Sequence, residues 1–375
     1  MGIRKSSMED MGMKKNFWKN KKVLITGHTG FKGCWLSLWL QKNGAEVIGY
    51  SLPAPTNPSL FSISGLENLI CSVTGDVRDL NKLKDVIKTH KPDIVFHMAA
   101  QPLVRLSYKN PIETLETNVI GTANLLEAVR ASESVKVVVN ITSDKCYENK
   151  EWEFGYKETD PMGGYDPYSC SKGCAELVTS AYRRSFFQES NIGIASARAG
   201  NVIGGGDWAE DRLIPDIFKS ILSNQKLLIR NPKSIRPWQH VLEPLRGYLM
   251  LAEKLWDNPQ EFSQGWNFGP NEQDTLQVIE IVNKISSMWD ESFEYELNKE
   301  KTYHEANYLK LDCSLSKVKL GWKPLFAIDD SVKITIEWFK AYKNSENIYE
   351  FTINQINSYE KRIEESDEKE LLQVL

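Results

Sequence analysis

The chain has 375 residues, with 46 Lys and Arg against 50 Asp and Glu for a formal net charge of -4, and a mean hydropathy of -0.41. At 41% hydrophobic and 26% charged residues it builds one large two-lobed domain or two fused ones, which excludes a stapled miniature scaffold, a disordered chain and a fibrous repeat. Without a basic excess it carries no broad electrostatic footprint for nucleic acid or an anionic membrane, and neither is expected as a partner.

In chain order, residues 1–14 are expected to form a flexible tail; the N-terminal stretch is polar and basic and lacks the apolar core of a signal peptide. KKVLITG predicts a strand, FKGCWLSLWLQKNG a helix with Trp35, Leu36, Trp39 and Leu40 at helical spacing, and EVIGY a second strand, together a βαβ unit. The alternation continues through the strand NLICSVTGD, the helix DLNKLKDVIKTHK, the strand DIVFHMAA, a long helix from about Asn110 to Ser134, the strand VKVVVNITS, a helix from Tyr168 to Glu189 and the strand IGIASARAG. Strands this apolar, separated by helices, predict an α/β fold with a doubly wound parallel sheet of Rossmann type over residues 15–200.

After Asn201 the simple alternation stops. Helices predicted over Leu213–Ser223, Val241–Trp256 and Thr275–Trp289, with the short run WNFGP between the last two, suit a smaller mixed α/β substrate-binding lobe over 201–344, its boundaries interleaved with the sheet domain. A final amphipathic helix, IDDSVKITIEWFKAYKN, precedes a charge-dense tail over 345–375 that reads as a solvated helix or frayed end. The six cysteines, Cys34, Cys71, Cys146, Cys170, Cys174 and Cys313, are scattered through these elements and read as reduced thiols. No paired CxxC or HxxxH element completes a tetrahedral site around Cys146, Cys170 and Cys174, so no metal is expected. With no window approaching the roughly 18 apolar residues of a membrane span, a cytoplasmic protein is expected.

TGHTGFKG sets Gly27, Gly30 and Gly33 as GxxGxxG between the first strand and the first helix. Glycines there permit a tight turn, close approach of backbone to a pyrophosphate and close helix packing, while the helix N-terminus offers free N–H groups to the anion. Gly27, Thr29, Gly30, Phe31, Lys32 and Gly33 are therefore the candidate dinucleotide contacts. EVIGYSLPAPTNPSLF supplies neither an acidic ribose clamp nor an arginine for a 2′-phosphate, so the residues alone select neither NAD nor NADP. Asp76, followed by Val77, ends the third strand, where its carboxylate either accepts from the adenine amino group or caps the next helix. Ala99 and Ala100 in HMAAQ fit backbone lying against a cofactor; Asn118 either bridges backbone beneath it or is structural.

YSCSK places Tyr168 and Lys172 one helical turn apart, on one helix face. A nearby ammonium stabilises a phenolate, which predicts a lowered tyrosine pKa and a base able to take a hydroxyl proton as hydride leaves the carbon. YELNK, with Tyr295 and Lys299, has the same spacing but falls outside the sheet-building half and is assigned to chance. Ser143, Asp144 and Lys145 end the strand before the Tyr168 helix, at the edge where open α/β sheets bind ligands.

Together GxxGxxG, HMAAQ, TSDKCYEN and YxxxK resemble the extended short-chain dehydrogenase/reductase superfamily, in particular its nucleotide-sugar 4,6-dehydratases, over about residues 15–340. Where the dTDP-glucose and GDP-mannose enzymes carry Thr-Asp-Glu, this chain reads Ser143, Asp144, Lys145; that lysine, with ARAGNVIGGGDWAEDRLIPD and SIRPWQHVLEP, is similar to the CDP-glucose group. The resemblance implies NAD as cofactor, a nucleotide-sugar substrate and a homo-oligomer. It further implies Tyr168 as the base at the 4-hydroxyl, Lys172 as its tuning partner, Ser143 as donor to the 4-oxygen, and Asp144 with Lys145 for loss of water across carbons 5 and 6. Arg212, Arg236 and His240 are candidates for the diphosphate and nucleotide, Asn201 and Asn267 for the sugar nucleotide by position, and Trp208 and Trp238 for stacking on a base or for packing. An epimerase or a dehydratase for another nucleotide sugar would share Tyr168 and Lys172, and a non-catalytic dinucleotide sensor would share only the cradle.

Overall fold

In the computed structural model, which describes residues 14, 16–290, 293–298 and 308–374, the first half alternates as the sequence predicts. It runs β1 (Lys22–Thr26), α1 (Phe31–Lys42), β2 (Glu46–Ser51), the one-turn α2 (Leu60–Ile63), β3 (Cys71–Thr74), α3 (Leu80–His90), β4 (Ile94–His97), α4 (Val104–Lys109), α5 (Pro111–Leu115), α6 (Gly121–Arg130), β5 (Val137–Ile141), α7 (Pro167–Tyr182) and β6 (Gly193–Arg198). Pro111 opens α5 at a position where its missing N–H costs nothing, and a π-turn over Glu116–Ile120 joins α5 to α6 as one helical run. Asp166 starts α7 by accepting from the Ser169 N–H at 2.9 Å.

The second half contributes β7 (Val202–Ile203), α8 (Leu213–Ser223), β8 (Leu227–Ile229), β9 (Ile235–Pro237), β10 (Gln239–His240), α9 (Leu242–Asp257), α10 (Pro259–Phe262), β11 (Gly265–Asn267), β12 (Thr275–Gln277), α11 (Val278–Met288), β13 (Tyr295–Leu297), α12 (Ile328–Lys343) and α13 (Ile348–Val374). The central sheet has seven strands in the order β11-β6-β5-β4-β1-β2-β3, and every pairing is parallel. β4, β5 and β6 are buried along their whole length, as strands covered on both faces must be. The strand order reverses between β1 and β4, which opens a crevice beyond their C-terminal ends.

Two elements depart from expectation. Thr275–Gln277 is a short strand antiparallel to β9, and the helix begins at Val278 behind a capping box formed by Gln277 and Glu280. Residues 345–375 are not merely solvated: α13 buries Ile348, Thr352, Ile356, Tyr359 and Ile363, the Tyr359 hydroxyl donates to Glu243 at 2.8 Å, and Trp39 donates to Glu360 at 2.8 Å. Charge density hid an apolar stripe at helical spacing. Residues 1–13 lie outside the described residues, as does Lys299 of the second YxxxK; Tyr295 is an exposed residue of β13. Among the described residues no helix is long and apolar enough to cross a membrane, and no group of three potential metal ligands converges.

Candidate active site

A cavity of about 910 Å³ opens at the crevice between β1 and β4 and extends beneath α8 and β8. Its floor is the glycine turn. Gly27 adopts φ +79°, and a Cβ there would fall 2.7 Å from the Ala99 nitrogen. A Cβ on Gly33 would stand 2.2 Å from the Gly27 carbonyl, so α1 can seat against the turn only with glycine at that position. Thr29, Gly30, Phe31, Lys32, Val77, Ala99 and Ala100 line the same cavity, and the Thr29 hydroxyl ties the turn to Ser51 and the Leu52 carbonyl at 2.9 and 3.0 Å. A backbone cradle at the N-terminus of α1, open to the cavity, fits the pyrophosphate of a dinucleotide.

Asp76 also faces the cavity, held by Arg78 at 2.6 Å, and it is Asp79 that caps α3, accepting from the Lys82 N–H at 3.0 Å. Asn118 stands one layer back. Its amide bridges the backbone N–H and carbonyl of Gln101 at 2.8 and 3.0 Å and donates to Ser171 at 2.8 Å, fixing the Ala99–Gln101 loop to α7. As a direct cofactor contact it is therefore corrected to a support.

Across the turn, Ser143, Asp144, Lys145, Tyr168 and Lys172 converge on the same cavity. The Tyr168 backbone N–H donates to Ser107 at 3.1 Å, which locates the start of α7. The Ser143 hydroxyl donates to Asp144 Oδ1 at 3.0 Å, and the other carboxylate oxygen of this buried aspartate has no partner. Burial pushes Tyr168 up to about 12 against the opposing influence of the Ser143 hydroxyl and Arg212, so the expected lowering by Lys172 is not found. The Lys172 ammonium is directed instead to the Ile141 carbonyl, to which it donates at 3.4 Å. Burial also lowers Lys172 to about 8, and lowers Lys32, flanked by Lys172 and Arg212, to about 7.

Beneath α7 lies a network that the YxxxK pattern alone does not reveal. Glu176, one turn beyond Lys172, receives Arg198 at 2.9 and 2.8 Å, Ser196 at 2.6 Å and Thr142 at 2.5 Å. Burial favours the neutral acid, yet the Arg198 guanidinium and those hydroxyls together hold the carboxyl below its usual range. The clue was present: Tyr168, Lys172 and Glu176 recur every four residues on one face. Gly200 was also missed, since a lone glycine after a strand gives no chemical signal.

Of the substrate-lobe candidates, Asn201, Arg212 and Arg236 line the cavity. Asn201 sits in left-handed backbone at φ 42°, and Arg212 pairs with Asp207 at 3.1 Å. His240 and Asn267 are corrected. His240 is fully buried between Trp35 and Phe326, and burial lowers it to about 3, so it is a neutral packing group. Asn267 is fully buried as well; it accepts from Tyr147 at 2.8 Å and donates to the carbonyls of Tyr156 and Asp312 at 2.8 and 3.0 Å, away from the cavity. Trp208 and Trp238 show edges to the cavity but are packed, Trp208 on Phe339 and Tyr342, Trp238 through its N–H to the Leu276 carbonyl at 3.0 Å.

Comparison with known proteins agrees with this architecture. Residues 24–335 match the family model described as GDP-mannose 4,6 dehydratase. A CDP-glucose 4,6-dehydratase from Salmonella typhimurium is 56% identical over 350 residues, covering 92% of this chain and 98% of the relative. Among solved structures, a UDP-glucose 4-epimerase from Stenotrophomonas maltophila with bound NAD superposes with TM-score 0.76 at 20% identity, over 87% of this chain and 100% of the other. A dTDP-glucose 4,6-dehydratase from Bacillus anthracis in complex with NAD gives 0.70 at 21%, over 88% and 99%. The chain belongs to the GDP-mannose 4,6 dehydratase family, within the extended short-chain dehydrogenases/reductases.

Proposed function

We propose that this protein is an NAD-dependent hydro-lyase that converts CDP-glucose to CDP-4-keto-6-deoxy-glucose and water. One observation carries the assignment: the glycine cradle, the polar set Ser143, Asp144, Lys145, Tyr168 and Lys172, and the guanidinium-bearing Arg212 and Arg236 all line a single cavity. The high identity to the Salmonella enzyme named for CDP-glucose supports the choice of substrate.

Bound NAD supplies a hydride acceptor and, later, a hydride donor. Tyr168 takes the proton of the sugar 4-hydroxyl, and Ser143, already a donor to Asp144, turns its hydroxyl to the 4-oxygen. A carbonyl at carbon 4 acidifies the carbon 5 proton, which Lys145 removes while Asp144 protonates the departing 6-hydroxyl. Arg212 and Arg236 bind the diphosphate, since guanidinium groups match phosphate oxygens in charge and geometry. The unpartnered oxygen of Asp144 is consistent with a carboxyl that meets its partner only when substrate is bound. Burial holds Tyr168 near 12, so it needs added positive charge to act as a base; Lys172, one turn along α7, would hold the nicotinamide end of NAD, and the oxidised cofactor would supply that charge.

Exposed Ile112, Ile120, Leu177 and Phe186 on the α5–α6 and α7 helical runs support a homo-oligomer formed through that face. The free state of all six cysteines accords with a reducing, cytoplasmic setting. The test is incubation of purified protein and NAD with CDP-, dTDP-, UDP- and GDP-glucose. A 4-keto-6-deoxy product from CDP-glucose alone is expected, and comparable turnover of dTDP-glucose contradicts the substrate assignment.

A further inference from the structure

The wall of the cavity built by α8 is a ruler. Arg212, at the start of α8, is close enough to Tyr168 to influence its ionisation, and its carbonyl accepts from the Asp216 N–H at 3.0 Å, so Asp216 stands one turn farther along. Lys219 follows on the same face, and all three line the cavity. At about 1.5 Å of rise per residue, Asp216 and Lys219 stand roughly 6 and 10 Å along α8 from Arg212, within the same cavity, a span that a nucleotide with its sugar at Tyr168 can bridge. The facing wall carries Leu228, Arg230, Asn231 and Ser234. Arg230 donates to Asp216 Oδ2 at 2.6 Å and also pairs with Asp211, and Asp211 is itself 3.7 Å from Arg105. Asp216 is thus a fixed carboxylate in the wall, with Oδ2 taken by Arg230 and Oδ1 left for a further donor.

We propose that Asp216, held in place by Arg230, is the group that selects cytosine over uracil and thymine. The inference rests on the assignment of a nucleotide sugar to this cavity. Cytosine carries an amino group at position 4, a donor that Asp216 Oδ1 accepts; uracil and thymine carry a carbonyl there, whose lone pairs face those of the carboxylate. A site built around a hydrogen bond rejects the isostere that cannot make it, because the polar groups on both sides are then left unpaired. Arg230 prevents the carboxylate from turning away, so the mismatch is not relieved by rotation.

The experiment compares binding of CDP and UDP to the NAD-loaded enzyme by calorimetry, wild type against Asp216→Asn. With its oxygen held by the Arg230 donor, the amide turns its NH2 to the base, where it meets the uracil 4-carbonyl and no longer accepts from the cytosine amino group. The wild type is expected to prefer CDP by about tenfold or more, the size of one unsatisfied buried polar group, and Asp216→Asn to lose most of that preference through weaker CDP and stronger UDP binding. Should Asp216→Asn melt below the assay temperature, Asp216→Glu keeps the charge opposite Arg230 but advances the carboxylate by one methylene; it must weaken CDP without admitting UDP. An unchanged CDP-to-UDP ratio in a folded variant overturns the proposal, as does a wild type that binds the two equally. Tight, selective CDP binding with no turnover of CDP-glucose would instead overturn the assigned reaction while leaving base selection by Asp216 intact.

Discussion

Asp144 occupies the space that a side chain on Gly200 would need: a Cβ on Gly200 would lie 1.8 Å from Asp144 Oδ2 and 2.2 Å from its Cγ. The carboxylate is buried, anchored on one side by Ser143 and given its place on the other by the absence of a methyl group at the end of β6. A residue with no chemistry of its own therefore sets the position of one that has it.

Gly200→Ala should displace the Asp144 carboxylate. In the proposed elimination Asp144 protonates the leaving hydroxyl, so kcat should fall by roughly 10²- to 10⁴-fold, the usual loss for a general acid, while dinucleotide affinity stays within a factor of about two because the cradle lies across the cavity. Steady-state kinetics beside a dinucleotide titration check this. Equal loss of dinucleotide binding would mean that the methyl group disrupts the fold rather than the acid.

The lysines of the cavity predict a pH dependence. Burial lowers Lys32 to about 7 and Lys172 to about 8, so above those values the unliganded protein has shed protons that an unfolded chain would keep, and stability from these groups rises with pH from about 7 upward. A dinucleotide pyrophosphate restores the ammonium form. Its binding near pH 8 should therefore take up protons, and its affinity should fall as pH rises further. Calorimetry in buffers of different ionisation enthalpy measures the uptake, which Lys32→Met should reduce; no uptake in the wild type contradicts the placement of Lys32 beside the anion.

Glu176 anchors the far side of the catalytic helix. Removing its charge leaves Arg198 buried without its counterion, a change that typically costs about 3–5 kcal/mol, so Glu176→Gln should lower Tm by many degrees. Its depressed pKa gives the sign with pH: the stabilisation is present above the usual carboxylate range and is lost as pH falls through the native value. Thermal melts of wild type and variant from neutral to acid pH should converge. A gap that persists at low pH would assign the effect to packing.

Much of the fold was legible because parallel strands buried on both faces leave long apolar runs, and because the crevice position follows from strand order. The cradle and the Ser143–Lys172 set were legible because their spacing encodes one turn or one helix face. What escaped had other physical origins. Asn267 and His240 sit in segments that approach the cavity, yet their side chains are spent on internal hydrogen bonds and ring packing, which depends on partners distant in sequence such as Tyr147, Asp312 and Phe326. Asp216 and Arg230 are ordinary charges in sequence, and only the packing of α8 against β8 makes them a pair. In α13 the core-facing residues are separated by so many charges that the apolar stripe reads as solvent-exposed until Glu243 and Trp39 supply its partners.

The proposed mechanism assigns oxidation to Tyr168 and elimination to Lys145, and variants of the two should differ accordingly. Tyr168→Phe should abolish reduction of bound NAD by substrate and every later step. Lys145→Ala should still permit that reduction in a single turnover, while solvent deuterium incorporation at carbon 5 falls by roughly 10²- to 10⁴-fold. Full carbon 5 exchange in Lys145→Ala would make Asp144 or a water the base.

In the proposed reaction one cavity oxidises carbon 4, expels water and reduces carbon 6 without losing the hydride. CDP-glucose deuterated at carbon 4, turned over by the wild-type protein with NAD in ordinary water, should give CDP-4-keto-6-deoxy-glucose carrying that deuterium in its carbon 6 methyl group, with no net NADH. Deuterium found in released NADH, or a product whose carbon 6 still bears its hydroxyl, would contradict it.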